Sequence, residues 1–270
     1  MGTEIEFGAR TDVGCVRESN EDSYGAAPEL GLFVLSDGMG GLAFGEVASR
    51  LAVETVIRLC REAKSSAQYN DSDYGVSAAS RQLASAIRAA NQKIYLTAQT
   101  GGTDRQMGAT IVAARFAGER ISLAHVGDSR AYRLRNNRLE QLTRDHSFVA
   151  EQVRQGRMTE QEAGQSGLQN VLMRALGTAP DVDIDVTEEL MLDDDTILLC
   201  SDGLTRELTD AQIAAVLDDC RDAQDAAGQL VDMAKQAGGG DNISALVLRR
   251  ATKSAGAFAR IGKWLRQSGN

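Results

Sequence analysis

Leu32-Phe33-Val34-Leu35-Ser36-Asp37-Gly38 is echoed far downstream by Ile197-Leu198-Leu199-Cys200-Ser201-Asp202-Gly203. Each copy is a short apolar run that ends on an acid and a glycine. It reads as a buried strand whose last turn delivers a carboxylate to the edge of the core. A third version, Ala124-His125-Val126-Gly127-Asp128-Ser129, puts the glycine before the acid, and Asp241-Asn242 stands just ahead of the apolar Ile243–Leu248 run. A single Asp-Gly reads as a β-turn. Four acids at the ends of four apolar runs call for a common cause. A carboxylate at the edge of an apolar core is costly unless it is paired or bound to a cation, and no basic residue lies within two positions of Asp37 or Asp202. If the strand ends converge, a hard divalent cation is the natural neutraliser. An oxygen-only donor set without a His/Cys cluster favours Mg²⁺ or Mn²⁺ over Zn²⁺. Glycine after the acid lets a backbone carbonyl turn towards such an ion.

Outward from these runs, further strands are expected at Thr110–Phe116, Ile121–Val126, Ala131–Leu134 and Val182–Val186, with Gly118-Glu119 as a hairpin turn. Helical periodicity is strong from Phe44 to Leu59 and from Val76 to Ile94. A third helix, Ala223 to Ala234, runs up to Gly238-Gly239-Gly240. Strands in clusters with helix pairs between them favour a layered α+β sandwich over a doubly wound sheet. Residues 151–180 are polar, contain glycine and show weak periodicity, as expected of a mobile insertion.

Near the N-terminus, Arg17 stands five residues ahead of Asp22. A guanidinium binds tetrahedral oxyanions in bidentate fashion, so Arg17 is a candidate phosphate clamp; by itself it would read as a surface arginine.

Composition limits the partners. The 270 residues carry a net charge of −9, which argues against nucleic acid but not against a phosphorylated substrate that meets bound cations. Cys15, Cys60, Cys200 and Cys220 include no C-x-x-C pair and read as buried or half-buried thiols of a reducing compartment. No apolar run is long enough to span a bilayer and the N-terminus lacks signal-peptide design, so the expectation is a cytoplasmic protein. After Leu248 six basic residues occur without an acid, which leaves −15 for the rest. The expected division is therefore one folded domain at 1–250 and a tail at 251–270, either frayed or an amphipathic helix docking on a partner or membrane surface.

In chain order, Arg17-x-x-Asn20-Glu21-Asp22, Asp37-Gly38-Met39-Gly40-Gly41, Met107-Gly108-Ala109-Thr110, His125-Val126-Gly127-Asp128-Ser129-Arg130, Leu142-Thr143-x-Asp145-His146-Ser147, Arg174-Ala175-Leu176-Gly177, Ser201-Asp202-Gly203-Leu204 and Asp241-Asn242-Ile243-Ser244 make up an ordered motif set. In this set the sequence resembles the bacterial form of the metal-dependent protein phosphatase 2C (PPM) family, over about residues 5–248. With the resemblance, the expected fold is a four-layer α-β-β-α sandwich of two mainly antiparallel sheets flanked by helix pairs. The implied activity is hydrolysis of phosphoserine and phosphothreonine monoesters by attack of a metal-bridging hydroxide. The implied cofactors are two Mn²⁺ or Mg²⁺ ions with a third, weaker one. By motif position Asp37 bridges two metals and the Gly38 carbonyl faces the first. Asp202 and Asp241 hold the second, which Asp22 reaches directly or through water. Asp128 with Asp202 holds the third, and Arg17 binds the substrate phosphate. Residues 151–180 correspond to the flap over the site, which brings Ser166 near the third metal. Ser36 and Ser201 are expected to be structural rather than nucleophilic.

The implied partners are phosphorylated proteins and an opposing Ser/Thr kinase, with the chain a monomer. One departure is that Leu42 and Met39 stand where relatives carry histidine, a general-acid candidate. His125 and His146 read as structural hydrogen-bonders. Activated aryl phosphates are therefore expected to be turned over better than phosphoserine peptides. A metal- or phosphopeptide-binding module without turnover is the competing reading, and a nucleotide-directed carboxylate–metal hydrolase is another.

Overall fold

A computed structural model describes residues 5–40, 44–65, 76–100 and 107–250. Leu42 and the basic tail at 251–270 lie outside the described residues. In chain order the elements are β1 (Ile5–Asp12), β2 (Asp22–Ala27), β3 (Leu32–Met39), α1 (Phe44–Ser65), α2 (Ala78–Thr100), β4 (Gly108–Ala109), β5 (Ile111–Ala117), β6 (Arg120–Val126), β7 (Arg130–Arg135), β8 (Arg138–Gln141), α3 (Phe148–Arg154), α4 (Glu160–Gln165), β9 (Asp185–Leu190), β10 (Thr196–Cys200), α5 (Asp202–Thr205), α6 (Asp210–Asp219), α7 (Ala223–Ala237) and β11 (Ile243–Arg250).

Two antiparallel sheets form, in the orders β1-β11-β10-β7-β8 and β2-β3-β5-β6-β9, with β4 paired to β3. The two echoed runs thus lie in different sheets, β3 in one and β10 in the other. Their apolar side chains face each other: Phe33 and Leu35 share a fully buried core with Ile197, Leu199, Leu246 and Leu248. The opposite face of β3, through Leu32 and Val34, packs against α1 and α2 by Ala52, Val56, Leu83 and Ile87. The outer face of β10, through Leu198 and Cys200, packs against α6 and α7 by Ile213, Leu217, Leu230 and Val231. Because both faces of each sheet are covered, the central strands read as continuous apolar runs rather than as alternation. The result is the expected four-layer α-β-β-α order.

The hairpin is where the sequence places it: β5 and β6 pair from Ile111↔Val126 to Ala117↔Arg120, with Gly118 at φ 62° in the turn. The third helix ends at Gly238, whose backbone N–H returns to the Ala234 and Lys235 carbonyls. The strand expected at Val182–Val186 is displaced to Asp185–Leu190, because pairing with β6 runs from His125↔Asp185 to Arg120↔Leu190. Val182, Ile184 and Val186 pack on the helix side of the core instead. Within 151–180, α4 is closed by a capping box between Thr159 and Glu162.

The cysteines form no disulfide; Cys60 and Cys200 are buried and Cys220 half-buried. Cys15 corrects the expectation, since it is exposed. It lies on the loop after β1, which is held to the surface by its backbone bond to Gly239.

Candidate active site

Antiparallel pairing sets Asp22 on β2 directly opposite Asp37 on β3. From the other sheet, Asp202 begins α5 immediately after β10, and Asp241 precedes β11, the neighbour of β10. Asp128 occupies the turn between β6 and β7. The ends of both sheets therefore meet at one cavity of about 340 Å³, lined by Arg17, Asp37, Gly38, Asp128, Asp202 and Asp241 among others. Asp22 lies beneath this group, 7% exposed.

Neutral groups hold Asp22 and the backbone of Asp37. Ser201 Oγ and Ser244 Oγ donate to Asp22 Oδ2 at 2.8 and 2.6 Å. The Asp37 backbone N–H donates to Thr110 Oγ1 at 3.0 Å, and the Thr110 N–H donates to the Asp37 carbonyl at 2.8 Å. Thr110 Oγ1 also lies 2.6 Å from Ser129 Oγ, which ties the Asp37 strand end to the turn that carries Asp128. Ser36 and Ser201 are structural, as expected. Ser36 Oγ donates to the Thr110 carbonyl at 2.6 Å, and Ser201 serves Asp22. Gly38 has to be glycine, because a Cβ there would stand 2.1 Å from the Gly45 carbonyl oxygen.

The electrostatics are adverse. Burial and the neighbouring acids push Asp37 well above the usual carboxylate range. Burial also raises Asp202, against the pull of Arg206. Burial raises Asp22 to about 7 against the pull of its two serines, and burial with the Asp202 and Asp145 charges raises Asp128 to about 7. Asp22, Asp202, Asp128 and Asp241 all act on Asp37 with like charge, which favours a shared proton or a cation among them. Asp22 Oδ1 and Asp202 Oδ1 are buried without any hydrogen-bond partner. Orphaned carboxylate oxygens among clustered acids suit a pair of hard divalent cations.

Two guanidiniums reach this cluster. Arg17 Nη2 lies 2.8 Å from Asp241 Oδ2, and Arg206 Nη1 lies 3.3 Å from the same oxygen while its Nη2 pairs with Asp202. Arg17 was expected at the site; Arg206 was not. Its signal was the i,i+4 spacing from Asp202 across a helical turn. Ser166 is not among the cavity-lining residues; its hydroxyl accepts the Leu168 N–H at 3.2 Å.

Asn242 fastens the loop that carries Arg17. Its Nδ2 donates to the carbonyls of Val13 and Ser19 at 3.0 and 2.9 Å, and its Oδ1 accepts the Glu21 N–H at 2.8 Å. Asn242→Ala should cost about 2–4 kcal/mol, as three partly buried bonds are lost and their backbone partners left without them. Urea unfolding should show this as a lower midpoint, and the kcat/KM for a phosphate ester should fall as Arg17 loses its position.

The folded sequence matches the protein phosphatase 2C family model over residues 16–237. The chain belongs to the protein phosphatase 2C family. Among its relatives is the serine/threonine protein phosphatase PstP of Mycobacterium tuberculosis, 37% identical over 243 residues that span 90% of this chain and 44% of PstP. This protein phosphatase 2C chain thus spans under half the length of that relative. The serine/threonine phosphatase stp of Listeria welshimeri is 35% identical, over 89% of this chain and 94% of its own. A solved structure of the PstP catalytic domain in complex with two manganese ions superposes with a TM-score of 0.78 at 36% identity, covering 91% of this chain and 97% of that one.

Elsewhere in this family member, His125, His146 and Asp185 gather. The two imidazoles are stacked at 4.6 Å with planes 22° apart, so a single ion cannot lie in both ring planes. His125 Nε2 is 2.8 Å from the Arg144 carbonyl, and His146 Nδ1 accepts the Gly127 N–H at 3.1 Å. These are the structural roles expected of both histidines, and the second bond holds the glycine that precedes Asp128. Burial and the charges of His125 and Arg174 depress His146 to about 4. The unfolded chain therefore binds more protons than the folded one from about pH 6.5 down to about 4, and stability falls with pH across that window. In metal-free protein, wild type should lose on the order of 2 kcal/mol relative to His146→Gln between pH 7.5 and 4.5. Paired urea titrations at the two pH values measure that difference.

Proposed function

We propose that this chain is a metal-dependent serine/threonine protein phosphatase that hydrolyses phosphoserine and phosphothreonine monoesters of proteins. The reading is carried by the convergence of Asp22, Asp37, Asp128, Asp202 and Asp241 on one cavity that also exposes the Arg17 guanidinium. It is supported by membership of the protein phosphatase 2C family and by the two manganese ions in the PstP catalytic domain.

Asp37 and the Gly38 carbonyl would hold one cation, and Asp37, Asp202 and Asp241 a second, with Asp22 in support. Bound there, two Mn²⁺ or Mg²⁺ ions supply an activated water nucleophile and positive charge for the phosphoryl oxygens. The residues of the chain do the rest. Arg17 has a half-exposed side chain and needs only to leave Asp241 to hold two phosphate oxygens, once cations take over the neutralisation of that acid. Ser201 and Ser244 both hold Asp22 Oδ2, which leaves its Oδ1 free. Thr110 fixes the backbone of Asp37, so the carboxylate does not swing away when charge redistributes. Ser36 and Ser201 are not placed for a covalent phosphoenzyme, since both hydroxyls are buried and engaged.

The natural substrates are phosphoproteins made by a Ser/Thr kinase. Residues 1–250 act as one catalytic domain with 151–180 as its flap, and the chain works as a cytoplasmic monomer. Among the described residues no helix is long and apolar enough to cross a membrane.

The test is hydrolysis of p-nitrophenyl phosphate and of a phosphothreonine peptide in Mn²⁺, Mg²⁺ and EDTA. Turnover of both that requires the ion is expected, with the aryl ester faster. A folded, Mn²⁺-loaded protein without turnover would instead point to a phosphopeptide-binding module.

A further inference from the structure

The acid-lined cavity and a second one, about 600 Å³ and lined by Ala150, Val153, Glu160 and Ala163 of α3 and α4, meet at three side chains. Asp128, Asp202 and Arg206 line both. Arg206 is the C-cap of α5, one helical turn beyond Asp202, and its side chain is 28% exposed. Its guanidinium engages Asp202 through Nη2 and reaches Asp241 through Nη1 at 3.3 Å. Asp128, on the other side of the junction, forms no ion pair among the described residues, yet it is 7% exposed and within the field of Arg206.

We propose that Arg206 is a built-in counter-cation for the Asp128–Asp202 pair, which closes that pair to a third divalent ion so that the chain saturates with two. The inference rests on the two-ion reading above. Three features carry it. A guanidinium stays protonated at all working pH values and is tethered to the acid it neutralises, so it competes with a free ion at no cost in concentration. It takes the outer oxygen of Asp202, one of the two carboxylates that a third ion would have to share with Asp128. Arg206 also lines both cavities beside Asp128 and Asp202, so its charge stands at the junction where a third ion would have to sit.

The experiment measures bound Mn²⁺ per chain by equilibrium dialysis with metal analysis, up to millimolar Mn²⁺, on the full chain. Wild type should level off at about two ions, and Arg206→Gln at about three, the third lost again in Arg206→Gln/Asp128→Asn. Arg206→Lys keeps the charge and should stay at about two, and it serves if the glutamine variant is unstable. Three bound ions in wild type, or only two in folded Arg206→Gln, overturn the proposal while leaving the two-ion reading intact. A third ion in Arg206→Lys also overturns it, because charge is then not the cause. Fewer than two ions in wild type contradicts the two-ion reading itself.

Discussion

Asp37→Asn is expected to lower Mn²⁺-dependent hydrolysis of p-nitrophenyl phosphate by about 10³-fold or more, while making the metal-free protein more stable. Both effects come from one arrangement. Asp37 is half-buried at the cavity, in the field of Asp22, Asp202, Asp128 and Asp241. Amide for carboxylate keeps the shape and removes the charge that a shared ion needs. Without metal, the same change removes a group that the fold disfavours in its ionised form. The sign follows from linkage. The folded-state pKa of Asp37 lies above its unfolded value, so its contribution is present at low pH and lost as pH rises. The stability gap between variant and wild type in EDTA should therefore widen from pH 5 to pH 8. Thermal melts at the two pH values, beside initial rates in Mn²⁺, measure both halves. A variant that is both inactive and less stable in EDTA would mean that Asp37 is held by ordinary hydrogen bonding, and that the acid cluster is not poised for cations.

Addition of Mn²⁺ to the metal-free protein is expected to raise its melting temperature strongly at pH 8 and weakly near pH 5.5. An ion at a hundred times its dissociation constant stabilises by about 2.7 kcal/mol, roughly 5–10 °C for a domain of this size. The pH dependence arises because Asp22 and Asp128, both pushed up to about 7, hold protons that must leave before a metal binds. Below pH 7 protons and ions compete for the same oxygens, and the shift shrinks. Scanning calorimetry with and without Mn²⁺ at the two pH values decides this. A shift independent of pH would place the ions on acids other than these.

The parts of the molecule that were legible in the sequence are those where burial on two sides leaves an uninterrupted apolar run. Thr196–Cys200 was bounded correctly because every residue of β10 is buried. The helices from Phe44 and Ala223 were visible because one face of each contacts a sheet across its whole length. β2, Asp-Ser-Tyr-Gly-Ala-Ala, was not legible, since small and polar residues suffice at a sheet edge, and β1 lacks both a run and an alternation. The short helices α3 and α4 bury no residue, so they carry no stripe to read. At the site, the acids stood out because each ends an apolar run. Their partners did not, because Ser201, Ser244 and Asn242 serve Asp22 and the Arg17 loop across more than 170 residues of chain. Arg206 falls between these cases: its helical spacing from Asp202 was present, but nothing in the one-dimensional pattern marked the residue as facing two cavities.

The central claim is that these five aspartates hold a pair of divalent cations beside Arg17. Anomalous diffraction at the manganese edge from crystals grown with Mn²⁺ tests it most directly. The account predicts two strong peaks about 3.5–4 Å apart, with an Asp37 oxygen bound to both and with Asp202 and Asp241 on the second. Peaks elsewhere, or none at an Asp37 that still carries its proton, would contradict it.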